Sequence, residues 1–318
     1  MSASAVLPEQ PLVFQPLFME RIWGGRRLET LYGKRLPPGA PIGESWEIVD
    51  RPEAQSVVRE GAWRGRTLHE LWVDQRAQIF GPVQGAARFP LLIKLLDAQE
   101  KLSLQVHPPA EIAAELGGEP KTECWYIAEA CPGAELYVGI KKGVSRAQIE
   151  AAVAAGAVEE HVHRVPVRTG DAMFLPSGRM HAIGAGNVIV EIQQNSDTTY
   201  RVFDWKRVQS DGTPRKLHIK ESLRSINFED FEPGLVAPAG ESLVKDLLFE
   251  IQKWELSAPR EVSTRGTFAI VICLAGAVAC AGTVLKPGEV FLVPANLTDR
   301  NLTPSAENTA LLRVTVPA

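Results

Sequence analysis

The stretch that decides the fold reads K-L-S-L-Q-V-H-P-P over residues 101–109 and G-E-P-K-T-E-C-W-Y-I over residues 118–127. Side chains of an extended strand alternate between faces, so Leu102, Leu104 and Val106 share one face and Ser103, Gln105 and His107 the other. By the same alternation Lys121, Glu123 and Trp125 share a face. A third segment, residues 170–187, carries His181. Two histidines, a glutamate and a glutamine amide displayed on strands form a candidate metal site.

The rest of the chain fits a strand-rich protein. Short runs rich in Val, Ile, Leu and Phe, punctuated by Gly and Pro, recur at 90–97, 102–107, 123–128, 171–175, 187–193, 268–275 and 289–293. This spacing predicts a sandwich or barrel rather than alternating βαβ units. Three helices are expected. One runs from Thr67 to about Phe80, opened by a capping box of Thr67 and Glu70. A short one covers 109–116. A third covers 145–155, with a box of Ser145 and Gln148 and a stop at Gly156. Neither G-x-G-x-x-G after a strand nor G-x-x-x-x-G-K-[ST] is found, so nucleotide binding has no support.

The 318 residues suggest two domains at about 150 residues each. Hydrophobic and charged fractions of 45% and 23% are ordinary for a globular chain, and a net charge of −4 gives no reason to expect nucleic acid. No apolar run is long enough to span a bilayer, and the start M-S-A-S-A-V-L-P-E-Q lacks the basic and apolar parts of a signal peptide. A cytoplasmic protein, a monomer or homodimer, is expected. Cys124, Cys131, Cys273 and Cys280 form no C-x-x-C motif and read as reduced thiols.

Residues 229–246 are rich in Gly and Pro and read as a linker. A weak repeat flanks it: Gly170 and Pro176 are separated by five residues, as are Gly288 and Pro294. His181 follows the first copy, whereas A-N-L-T-D follows the second. The expected division is therefore a catalytic domain over 1–235 and a smaller β domain over 236–318 without metal ligands.

The run Gly170, Pro176, Gly178 and His181 resembles the second signature of the cupin superfamily of jelly-roll barrels. Q-V-H-P at 105–108, K-T-E at 121–123, S-D-T-T-Y-R at 196–201, R-I-W-G-G at 21–25 and G-E-S-W-E at 43–47 resemble the type I mannose-6-phosphate isomerase family. The resemblance covers most of residues 11–220 and points to the compact bacterial or archaeal form, without an inserted helical domain. Thr122 departs from the proline usual in the K-x-E motif.

The resemblance implies a mainly β fold of two cupin-type jelly-roll domains with a few short helices. It implies one Zn2+ per chain held by Gln105, His107, Glu123 and His181, and isomerisation of mannose 6-phosphate to fructose 6-phosphate through a cis-enediol. Arg201 matches the family's catalytic arginine. Lys121, its pKa depressed by the cation, and Asp197 are candidate proton carriers. Lys94 and Ser103 map to pocket positions that could bind the substrate's phosphate. Other readings are isomerisation of a different phosphosugar, an iron-dependent oxygenase and a non-catalytic sugar-binding cupin. His161 and His163 read as a solvated strand start, and Trp23 and Trp46 as core or pocket-wall aromatics.

Overall fold

A computed structural model describes residues 8–83, 86–209 and 211–317; residues 1–7, read above for a leader, lie outside it. The fold is mainly β with a few short helices. A six-stranded sheet runs in the order Leu17–Gly25, Ile42–Ile48, Leu91–Ala98, Asn187–Gln194, Glu123–Ala130, Ala172–Leu175. A five-stranded sheet runs Tyr200–Phe203, Leu104–Val106, His181–Ile183, Glu135–Ile140, Val162–Pro166. All pairs within these two sheets are antiparallel.

The six-stranded sheet is buried on both faces. Leu96, Trp125, Ile127 and Ile189 pack against Leu136, Val138, Val165 and Ile183 of the five-stranded sheet. From the opposite face Ile93, Leu95, Val190 and Ile192 pack against Ile251, Ile270, Ile272, Leu312 and Val314 of a C-terminal sheet. Two covered faces explain why residues 91–96 read L-L-I-K-L-L instead of alternating with polar residues. Lys94 is the one charge in that run, and it points into the first sandwich.

The C-terminal sheet, ordered Ser242–Lys245, Glu250–Leu256, Thr309–Thr315, Ala269–Ala275, Val290–Val293, packs its second face on a four-stranded sheet through Trp254, Val271, Phe291 and Leu302. The two halves of the chain interlock. Leu12 pairs with Leu292, and Val13 joins the C-terminal core. Phe268 stacks on Phe80 and Phe89, with ring centroids 5.8 and 5.6 Å away.

The repeat spacing has a structural counterpart. Gly170 and Gly288 both take positive φ, +96° and +79°, and each turns into an edge strand, Ala172–Leu175 or Val290–Val293. Both capping boxes form.

Three local expectations need correction. The helix expected over 67–80 breaks at Gln75 into Leu68–Asp74 and Arg76–Ile79, because Gln75 leaves helical geometry at φ −124°, ψ 23°. Over 109–116 only Ala110–Ala113 is regular helix. Residues 229–246 are no free linker: Ile140 N–H donates to Asp230 O at 2.9 Å, Val236 N–H to Ala172 O at 2.8 Å, and Ser242–Lys245 is a strand. The segment is a bonded strap, and of its Gly and Pro residues Gly240, at φ +62°, makes the turn before the strand Ser242–Lys245.

Candidate metal centre and substrate cavity

His107, Glu123 and His181 converge from three chain segments. His181 pairs with Gln105 across the five-stranded sheet. Glu123 opens its strand in the facing sheet. One donor atom from each of the three residues lies within 4.8 Å of the others, and all three residues are buried. His107 Nε2 is 3.7 Å from Glu123 Oε2, and His181 Nε2 is 3.4 Å from Glu123 Oε1.

The outward nitrogens of both rings face backbone carbonyls. His107 Nδ1 lies 2.7 Å from Thr198 O and His181 Nδ1 2.8 Å from Arg179 O. A carbonyl only accepts, so each Nδ1 carries the proton and each Nε2 presents a lone pair to the centre. Burial, first of all, pushes both imidazole pKa values down, His181 to about 3, which keeps the rings neutral. Burial alone would raise the Glu123 carboxyl, but Lys121 and the histidines hold it well below the usual carboxylate range.

His107 Nε2 and Glu123 Oε1 are buried without a hydrogen-bond partner among the described residues, and Glu123 Oε2 meets only the Lys121 ammonium, at 2.7 Å. Orphaned donors facing one another at this separation would each cost free energy unless a further group satisfies them. Nitrogen and carboxylate donors of this kind suit a divalent cation such as zinc.

A cavity of about 390 Å³ adjoins the trio. Of the residues singled out from sequence, Lys94, Ser103, Gln105, Lys121, Asp197 and Arg201 line it. Gln105 Nε2 is 3.3 Å from His181 Nε2 and Lys121 Nζ is 2.7 Å from Glu123 Oε2, so the cavity reaches the trio through these two side chains. Trp23 is part of its wall. Trp46 lies beneath Lys94, with Nζ 5.0 Å from the ring centroid. His161 and His163 belong to no such cluster among the described residues.

Sequence reading missed four charged members of the wall: Arg21, Glu44, Glu191 and Arg215. Arg21 and Glu44 lie inside quoted motifs but had no role. Glu191 sits in N-V-I-V-E-I, where a charge amid β-branched residues is the available signal of an inward polar position.

Strand register explains how these charges meet. Trp46 pairs with Lys94, Lys94 with Glu191, and Glu191 with Trp125, one row across four adjacent strands. Arg21 Nε donates to Glu44 Oε1 at 2.8 Å, and Lys94 Nζ lies 3.9 Å from Glu44 Oε2 and 3.3 Å from Glu191 Oε2. Indole N–H groups of Trp46 and Trp125 donate to Glu44 and Glu191 at 2.6 and 2.9 Å.

These contacts set the protonation states. Burial pushes the Glu44 carboxyl up, but Lys94 and Arg21 outweigh it and bring it down to about 2. For Glu191 burial prevails over Lys121 and Lys94 and the pKa rises. Burial opposes charge on Lys121, yet Glu123 and Glu191 hold it above the ordinary lysine value. Burial and the neighbouring Arg215 lower Arg201.

Comparison with known proteins converges on one family. Residues 12–123 match the family described as phosphomannose isomerase type I, catalytic domain. The chain is 37% identical over 298 residues to a mannose-6-phosphate isomerase of Streptococcus mutans, covering 90% of this chain and 92% of that one. It is 36% identical over 315 residues to a mannose-6-phosphate isomerase of Bacillus subtilis, covering 94% and 97%. A crystal structure of the mannose 6-phosphate isomerase from Bacillus subtilis superposes with a TM-score of 0.87 at 33% identity, over 96% of this chain and all of that one.

Proposed function

The chain belongs to the type I phosphomannose isomerase family, and from that premise we propose how its own residues interconvert mannose 6-phosphate and fructose 6-phosphate. The reaction moves hydrogen within one molecule. A base removes the proton from C2 while the C1 carbonyl oxygen gains one, giving a cis-enediol. C1 then takes a proton as the C2 hydroxyl gives one up. No external oxidant or reductant is needed, only proton carriers and donors that hold the developing oxyanion.

In our reading His107, Glu123 and His181, with the Gln105 amide as a fourth donor, hold one zinc ion per chain. Bound there, zinc would supply a Lewis acid for the sugar's carbonyl and hydroxyl oxygens. Arg201 holds negative charge developing on the enediolate. Lys121, kept as an ammonium by Glu123 and Glu191, donates a proton to a substrate oxygen. Asp197 and Glu191 are the carboxylates able to carry the carbon-bound proton, and a raised pKa suits Glu191 to that task. Lys94 and Ser103 contact the substrate in the cavity.

The same reading makes 1–235 a cupin-type jelly roll and 236–318 a degenerate copy whose sheet covers the first. It places a monomer or homodimer in the cytoplasm. The observation that carries the functional reading is the buried trio His107, Glu123 and His181, with His107 Nε2 and Glu123 Oε1 left unpartnered, beside a cavity lined with paired charges. NMR time courses with mannose 6-phosphate and glucose 6-phosphate test the substrate. Conversion of the mannose ester alone is expected, and preferential turnover of the glucose ester would assign the site to another phosphosugar.

A further inference from the structure

The five cations of the cavity wall are not equivalent. Arg21 is bonded to Glu44 at 2.8 Å, Lys94 lies between Glu191 and Glu44 at 3.3 and 3.9 Å, and Lys121 touches Glu123 at 2.7 Å. Each already has a carboxylate. A phosphate brought to Lys94 would face Glu44 and Glu191 at the same time. This argues against the expectation that Lys94 grips the phosphate.

The other end of the cavity is different. Arg201 has no carboxylate within ion-pairing distance among the described residues. Its Nη1 donates to Lys216 O at 2.8 Å, and its Nε is buried without a partner. Arg215 donates to Asp204 from Nε at 2.7 Å and Nη2 at 2.5 Å, and Arg207 Nη2 shares the same Oδ1 at 2.6 Å. Arg207 and Arg215 thus share Asp204, Arg207 also lies 3.7 Å from Glu100, and Arg201 beside them pairs with neither carboxylate, so positive charge is left uncompensated beside the cavity.

That cluster is rigidly mounted. Trp205 and Lys206, directly after Asp204, are consecutive non-glycine residues at φ +54° and +57°. Such backbone is costly and persists only where the surroundings enforce it. Here Trp205 Nε1 donates to Leu102 O and Arg207 Nη1 to Lys101 O, both at 2.5 Å. The turn is thereby pinned to the residues that precede Ser103.

We propose that the substrate's phosphate is bound at this arginine end of the cavity by Arg215, with Arg201 beside it, and that Asp204 is the residue that positions Arg215. This rests on the isomerase reading and completes it. Asp204 holds the Nε and Nη2 side of Arg215, which leaves Nη1 to meet a phosphate dianion, and Arg201, which has no carboxylate among the described residues, adds the uncompensated charge such an anion needs. With the phosphate there, the sugar extends toward the metal donors, and Lys94 serves the sugar end.

Direct binding of inorganic phosphate, measured by calorimetry, and steady-state kinetics with mannose 6-phosphate and with mannose test this assignment. Loss of a charge-assisted contact predicts that Arg215→Met weakens inorganic phosphate binding and raises KM for mannose 6-phosphate by about 10- to 100-fold, with a much smaller change in kcat. The preference for the phosphorylated sugar falls by a similar factor. Arg215→Lys, which keeps the charge but not the fork, lies between. Asp204→Asn shifts KM in the same direction and adds little in the Arg215→Met background.

Unchanged phosphate binding in a folded Arg215→Met protein, with the loss appearing in Lys94→Met instead, would overturn the proposal. A fall in kcat without a rise in KM would overturn it as well. Failure of the unmodified protein to turn over mannose 6-phosphate, with phosphate binding still lost in Arg215→Met, would sink the isomerase reading and leave the anion site standing.

Discussion

His107 Nδ1 lies 2.7 Å from the carbonyl oxygen of Thr198, the residue that follows Asp197. One hydrogen bond thus ties a candidate metal donor to the loop that brings a carboxylate into the cavity. The loop is held in turn: Arg51 Nη1 donates to Asn195 O at 2.9 Å and Asn195 Nδ2 to Asp50 O at 2.6 Å. Donor orientation and cavity shape are set together, far apart in sequence.

Removing a member of the trio should empty the site. His107→Ala, Glu123→Ala and His181→Ala should each weaken metal binding by more than the roughly 10–100-fold typical of an outer contact. Metal analysis after dialysis against a chelator checks this. Full occupancy in all three variants would remove the trio from consideration.

Arg201 should act on the transition state. Arg201→Ala should lower kcat by about 10²–10³-fold with metal content unchanged, and Arg201→Lys should recover only part. A rise in KM alone would make Arg201 a pure phosphate contact.

Glu44 should make stability depend on pH. Its carboxyl is 10% exposed, and its pKa falls from the ordinary 4.5 to about 2 on folding. A depressed carboxylate stabilises the fold above its unfolded pKa and loses that contribution as pH drops through the folded one. The contribution is on the order of 3 kcal/mol. Denaturant unfolding of metal-free protein should show Glu44→Gln weaker than the unmodified chain at pH 7, with the gap closing between about pH 4.5 and 2. A gap independent of pH would show that the charge pairing is not its cause.

The two halves should unfold as one. Phe268 is 2% exposed and packs on Phe80 and Phe89 of the N-terminal half. Phe268→Ala should cost about 3–5 kcal/mol while far-ultraviolet dichroism and tryptophan fluorescence still report a single coincident transition. Two separated transitions would mean that the halves have independent cores.

Much of this was legible in the chain. Alternation around residues 101–107 and 121–125 grouped Gln105, Lys121 and Glu123, and the run Gly170, Pro176, Gly178 and His181 added His181 through its resemblance to a cupin signature; these side chains do lie together. Local signals worked where local chemistry decides: Thr67 with Glu70 and Ser145 with Gln148 each close a capping box. Arg215 and Glu191 escaped because their meaning depends on register and on a turn that brings Arg215 back to Asp204, contacts no local pattern encodes. Lys94 was legible as a pocket residue. Its two carboxylate neighbours, which change what it can bind, come from other strands.

The central claim is metal-dependent isomerisation of mannose 6-phosphate at the His107, Glu123 and His181 centre, and a coupled fructose 6-phosphate assay tests it most directly. Protein stripped by a chelator should be inactive, and one equivalent of zinc per chain should restore turnover in the unmodified enzyme but not in His181→Ala. Full activity in the stripped protein, or restoration by zinc in His181→Ala equal to that in the unmodified enzyme, would contradict the account.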